Sequence, residues 1–149
     1  MTDNNQAPEI IALPNWFNVA AILALVWNLL GVVAFVSHMM MTPEMIVQLP
    51  VAEQDLYANV PFWATAAFAI AVFGGALGSL ALLMKKSICY PLFIASFIAV
   101  VVQMFHSFFI SNSAEVYGPG SMIMPIMVLV ITLVLVRFSA KGNSNNWFS

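Results

Sequence analysis

Four long apolar runs, separated by short polar clusters, organise this chain. They cover roughly residues 16–38, 60–84, 88–110 and 121–138, close to the ~20 residues a helix needs to cross a hydrocarbon core. Their starts carry helix signals: Asn59 as a cap with Pro61 in the first turn, Ser87 with Pro91, and Ser121 with Pro125. Proline is tolerated there because first-turn N–H groups have no intrahelical partner. If the fourth helix begins near Pro119, Pro125 is a kink instead. Between the first two runs, Thr42-Pro43-Glu44 reads as a cap, a first-position proline and an acid that complements the helix dipole. Pro50 then opens a second short segment, Val51–Ala58, so one or two short helices are expected to lie at the outer interface. The pattern predicts an all-α integral membrane bundle of four transmembrane helices, with a short interfacial helix between helices 1 and 2. Residues 1–149 form a single membrane domain, and 1–15 and 139–149 are expected to be polar tails. The second tail reads as mobile, with Trp147 and Phe148 touching the interface.

Composition sharpens this to a membrane protein. The chain is 62% hydrophobic and 7% charged, where a soluble domain carries about 25% charged residues. It lacks the polar surface to cover itself in water. A net charge of −2 with four Lys and Arg argues against nucleic acid, whose binding rests on neutralising phosphates. No polybasic cluster would recruit anionic lipid. The single cysteine, Cys89, excludes an internal disulfide and a Cys-x-x-Cys dithiol, and reads as a small apolar residue at a helix start. Residues Met1–Asn15 hold Asp3 and Glu9 but no basic residue, and the run that follows is longer than a signal core, so no cleavable signal peptide is expected.

Charge placement predicts orientation. Lys85 and Lys86 fall between the second and third runs, and Arg137 and Lys141 at the end of the fourth. The other two connections hold Glu44, Glu53, Asp55 and Glu115 and no Lys or Arg. Cytoplasmic loops retain Lys and Arg, which places both termini in the cytoplasm and both long connections outside.

Within the second run, Ala67, Ala71, Gly74, Gly78 and Ala81 share one helical face, where small residues let backbones approach closely. Packing inside the bundle is the plain reading; a substrate groove or an oligomer seam is the alternative. Asn28, Gly31, Phe35 and His38 share a face of the first run. An unpaired amide in an apolar medium costs roughly 2–7 kcal/mol, so Asn28 needs a partner, and structural glue is its default role.

Candidate chemistry is sparse. No Asp or Glu lies inside a predicted span, which argues against a carboxylate proton relay. No catalytic triad order, metalloprotease motif or phosphate loop is present, so the chain reads as a non-enzyme with no catalytic residue. The remaining polar residues gather at the outer end: His38, Gln103, His106, Ser107, Glu115 and Tyr117. With Asn28, the candidate binding set is Asn28, His38, Gln103, His106, Glu115 and Tyr117. Eight methionines join them there: Met39, Met40, Met41, Met45, Met104, Met122, Met124 and Met127. A structural role, with methionine as adaptable filler, is the plain reading. Thioether and imidazole also suit Cu(I), and two facing histidines could hold haem in a bundle. Neither pattern is strong enough to assign a cofactor or a metal, and none is expected.

Leu49-Pro50-Val51-Ala52-Glu53-Gln54, then Pro61-Phe62-Trp63-Ala64, then Ala69–Leu83 followed by Lys85-Lys86, resembles a family of small bacterial four-helix inner-membrane proteins. Trp27-Asn28 with Gly31, and Glu115-Val116-Tyr117-Gly118, extend the resemblance over most of the chain. Some members are labelled sugar transporters. The resemblance implies a bacterial inner-membrane protein and carries no assigned site residues. The expected function is a small transporter or accessory permease for an uncharged solute, with membrane lipid as surroundings and a homo-oligomer supplying the volume of a pathway. The alternative is an assembly protein that binds a partner through its outer loop or its Gly face.

Overall fold

A helix that is apolar around its whole circumference is at home only in lipid or in a large core. Four helices of this chain have that character in the computed structural model, which describes residues 12–149. They are α1 (Phe17–Met39), α4 (Phe62–Leu83), α5 (Cys89–Phe105, extended by a π-helical turn His106–Ile110) and α7 (Ile123–Ser144, preceded by a 3-10 turn Pro119–Met122). Short helices α2 (Pro43–Ile46) and α3 (Val51–Ala58) join α1 to α4, and α6 (Ser113–Tyr117) joins α5 to α7. Among the described residues there is no strand. The fold is an all-α, multi-pass membrane bundle, with two short helices in the first long connection. Most of the leader 1–15 lies outside the described residues.

The helices pack in the order α1, α4, α5, α7. Small residues set this order, because helices in lipid associate by close packing and polar contacts rather than by hydrophobic expulsion. A Cβ on Gly78 would lie 2.9 Å from the Phe93 ring, and one on Gly74 would lie 3.4 Å from Ser96 Cβ. Ala67, Ala71 and Ala81 are buried. The small-residue face of α4 is therefore spent largely against α5, inside the chain. Gly75, one position round, meets Asn28 of α1 instead.

Lys85, Lys86, Arg137 and Lys141 mark the basic end, and His38 and His106 the histidine end. At the basic end Phe17, Leu82, Cys89 and Phe93 are fully buried, with Phe138, Trp147 and Phe148 packed on them. Here α1 and α7 meet, the Phe17 and Phe138 rings lying 5.6 Å apart. Elsewhere they share no extended contact.

This end corrects the reading of 139–149 as a polar, mobile tail. α7 continues six residues past Phe138, Ser139 is fully buried, and the chain then folds back. Asn146, at φ 53°, takes the left-handed position, while Trp147 N–H donates to Gly142 O (2.9 Å) and Asn146 N–H to Asn143 O (3.2 Å). That is a Schellman turn, with asparagine where glycine is usual. It lays Phe148 directly over Gly142, where any Cβ would overlap the ring. Ser149 N–H donates to Lys85 O (2.9 Å), and Ser87 N–H donates to Ser149 O (3.2 Å), which ties the segment to the α4–α5 connection.

Three of the expected caps also differ. Asn59 closes α3, its Nδ2 donating to Asp55 O at 3.2 Å, because proline biases the preceding Val60 toward extended backbone and α4 starts after Pro61. Ser87 reaches Ser149 rather than capping α5, and Ser121 donates to Gly118 O at 2.6 Å inside the 3-10 turn. Pro125 sits in the first turn of α7. The Thr42 cap is present, Met45 N–H donating to its Oγ1 at 3.4 Å.

Candidate functional site

The histidine end is shaped by the last turn of the third span. From His106 to Ile110 the helix widens to π geometry, and Ser111 N–H donates to His106 O at 2.9 Å. Such bulges occur mostly singly and frequently at functional sites. The wider turn brings His106 and Ser107, adjacent in sequence, to the wall of one pocket. Asn112, at φ 51°, then reverses the chain, so α6 carries Tyr117 back over the same pocket.

That pocket has a volume of about 210 Å³, and its walls include His38, Tyr57, Phe68, Gln103, His106 and Tyr117. His38 stacks on Tyr57 with ring centroids 5.1 Å apart, and Trp63 meets His106 edge-on at 5.3 Å. His106 is only 7% exposed. Among the described residues, the imidazoles and the Gln103 amide have no hydrogen-bond partner. None of these atoms is sealed away, since the only enclosed, unpartnered polar side-chain atom there is Trp147 Nε1. These groups face the pocket.

A second cavity of about 380 Å³ runs between α1 and α7 over the α4–α5 floor. Its wall is largely apolar, with Trp27, Val72, Val100 and Met104 beside Asn28 and Thr132. Phe68, Gln103 and Ser107 line both cavities, so the two adjoin. Among the described residues, no Asp, Glu, Lys or Arg lines either one.

Asn28 has the partner that burial demands. Its Nδ2 donates to Ala24 O (2.8 Å) and to Ser79 Oγ (3.0 Å), and Ser79 Oγ donates to Gly75 O (2.8 Å). Asn28 thus ties α1 to α4 while also lining the cleft. Ser96 Oγ ties α5 to α4 in the same way, donating to Ala71 O at 2.6 Å.

Of the six candidate residues, His38, Gln103, His106 and Tyr117 line the histidine-end pocket, and Asn28 lines the adjoining cleft, with Gln103 shared. Glu115 is exposed and lines neither. Sequence reasoning missed Tyr57, Phe68 and Ser79. Ser79 had a signal, a hydroxyl one helical turn after Gly75 in a run whose one other hydroxyl is Thr65; the aromatic walls had none. Among the described residues no three His, Cys, Asp or Glu side chains cluster as a metal site would require. The methionines share an end but not a site: Met104 and Met124 line the cleft, whereas Met39, Met40 and Met45 are exposed elsewhere.

Tyr117 offers a pH handle outside the spans. Burial pushes its phenol above the ordinary value, and the charges of Glu53 and Tyr57 add to the shift. A raised pKa means the folded state holds the proton more tightly, so this contribution is intact below pH ~10 and is lost as pH rises through the folded pKa. Thermal melts between pH 9 and pH 11 should show stability falling less steeply in Tyr117→Phe than in the parent. Equal slopes would remove Tyr117 as the cause.

No protein-family model, curated protein or solved structure matches this chain.

Proposed function

We propose that the chain is a small bacterial inner-membrane protein that takes an uncharged solute into the joined cavities of its histidine end, as a small transporter or accessory permease. Both termini are cytoplasmic in this reading, supported by the gathering of Lys and Arg at one end and of Glu44, Glu53, Asp55 and Glu115 at the other. The cavities then open to the outer side. The observation that carries the reading is a pair of adjoining cavities with imidazole, amide and hydroxyl groups on their walls and, among the described residues, no charged side chain. Small-molecule sites typically combine such a mostly apolar wall with a few convergent polar groups. The basic end is closed by Phe17, Phe93, Phe138 and Phe148, so in a transporter this is the outward-open state. The assembly reading has less support at the Gly face, because Gly78 already packs on Phe93 of the same chain.

The test is ligand-dependent melting in nanodiscs against a panel of monosaccharides, polyols and uncharged amphiphiles. A ligand at a hundredfold excess over its Kd stabilises the folded state by about 2.7 kcal/mol. At least one compound should raise Tm, Gln103→Ala should abolish the shift, and Glu115→Ala should retain it. A panel without any shift, together with proteoliposome uptake no faster than in empty vesicles, would sink the proposal.

A further inference from the structure

We infer that the ligand is a membrane-dissolved amphiphile with a flat, uncharged head group, specifically an isoprenoid-type quinone, its head in the histidine pocket and its tail along the cleft between α1 and α7. This rests on the uncharged-solute reading and names the class of ligand.

The two adjoining cavities together are amphipathic. The outer one carries His38, Gln103, His106 and Tyr117, while the inner one is walled mainly by aliphatic and aromatic carbon. A wholly water-soluble solute would leave the larger cavity without a complement. α1 and α7 do not pack together along the cleft, and Leu30 and Met124 on its rim are 61% and 57% exposed. The cleft therefore opens sideways toward lipid, and a tail can enter without crossing water.

Head-group chemistry follows from the pocket walls. Tyr57 stacked on His38 and Phe68 edge-on to His38 present ring faces and edges suited to a planar guest. A phosphate head would need Lys or Arg, the usual partners of phosphate oxygens, and neither lines the pocket. A sugar head would bring several hydroxyls, each costing about 1–3 kcal/mol if left unpaired, and Ser111 and Ser113 on the wall are already bonded to each other. A quinone head brings carbonyl oxygens that only accept hydrogen bonds. The pocket can supply the donors they need: one N–H on each neutral imidazole, the Gln103 amide, and the hydroxyls of Ser107, Tyr57 and Tyr117. His106 is more than nine-tenths buried and has no hydrogen-bond partner among the described residues.

The chain has two histidines, and both line this pocket, so their chemical labelling reports occupancy directly. Purified protein in quinone-free phosphatidylcholine nanodiscs is treated with diethyl pyrocarbonate, and carbethoxylation of His38 and His106 is followed by peptide mass spectrometry. The added probes are decylubiquinone, the short-tailed ubiquinone-1, and octyl glucoside below its micellar concentration. Decylubiquinone is expected to slow labelling of both histidines at least fivefold, and ubiquinone-1 less. Ala34→Trp fills the cleft at an exposed position on its wall. It should remove the advantage of the long tail while leaving protection by ubiquinone-1 unchanged, with an unaltered elution profile confirming the fold. Protection by octyl glucoside but not by decylubiquinone overturns the quinone assignment and leaves the uncharged-solute site standing. Labelling rates indifferent to every probe overturn both. Equal protection by both quinones in the parent and in Ala34→Trp overturns the placement of the tail.

Discussion

Replacing Phe17 with alanine is expected to cost roughly 3–5 kcal/mol of stability, the range for deleting a buried aromatic side chain, and to release the last residues of the chain. Phe17 is fully buried and is the hub of the basic end. Its ring lies 5.6 Å from Phe138, 6.1 Å from Trp147 and 6.1 Å from Phe148, centroid to centroid. No other aromatic residue on α1 reaches the C-terminal segment. With the ring gone, Trp147 and Phe148 lose their floor, and the Ser149 backbone bonds to Lys85 and Ser87 have little to hold them against water. Amide hydrogen exchange should accelerate at 147–149 and at Ser87 in Phe17→Ala, while exchange in α3 stays as it was. Slow exchange at 147–149 in the variant would show that the segment is held by its own turn rather than by Phe17. Gly142→Leu attacks the same docking from α7, by displacing Phe148, and should give the same exchange pattern with Phe17 intact.

The second large effect concerns the seam between α1 and α4. Gly75→Ala should destabilise by about 1–3 kcal/mol, the usual cost of overpacking, although alanine in place of glycine favours a free helix by about 1 kcal/mol. The reason is steric: the new Cβ would overlap Asn28 Oδ1, and Asn28 is held in place by two hydrogen bonds from its Nδ2. Moving the amide aside breaks the Asn28–Ser79 bond, and interhelical polar contacts in membranes are worth about 0.6–2 kcal/mol. Asn28→Ala alone should cost about that amount. In the Asn28→Ala background, Gly75→Ala has nothing to strike, so the double variant should be more stable than the two single losses predict. A thermal or denaturant cycle in mild detergent reads this coupling directly. Strict additivity would mean that Asn28 does not occupy the space over Gly75.

How much of this was legible beforehand differs by element. The four spans were, to within a few residues at most ends, because hydrocarbon demands about 20 apolar residues with every backbone group paired internally. The fourth was the exception: α7 runs six residues beyond Phe138, since polar Ser139, Lys141 and Asn143 read as tail when hydropathy is the only guide. The Asn146-Trp147-Phe148 turn was also overlooked, although asparagine in the left-handed position with apolar residues behind it is a known helix stop. The short helix at Thr42-Pro43-Glu44 was readable because a cap is a local device, its donor and acceptor three residues apart. Asn59, Ser87 and Ser121 looked like the same device and were not, because where the next helix starts depends on chain reversals they do not encode.

The candidate site divides in the same way. By their place in the runs, His38, Gln103, His106, Glu115 and Tyr117 had to lie near one end of the bundle. Which of them share a wall was decided by rotation about each helix axis. Glu115 turned away, Tyr57 and Phe68 turned in, and a π-helical turn swung His106 and Ser107 into one pocket.

What the sequence determined by itself was therefore the class of molecule, the number of crossings and the depth of each polar residue, because all of these follow from transfer between water and hydrocarbon. Only the tertiary structure decided which faces meet. Lipid tails and a protein interior are almost equally apolar, so a helix apolar on every side carries little record of the face that will meet protein. The cleft between α1 and α7, the histidine pocket joined to it and the aromatic lock at the basic end all arise from that undetermined rotation.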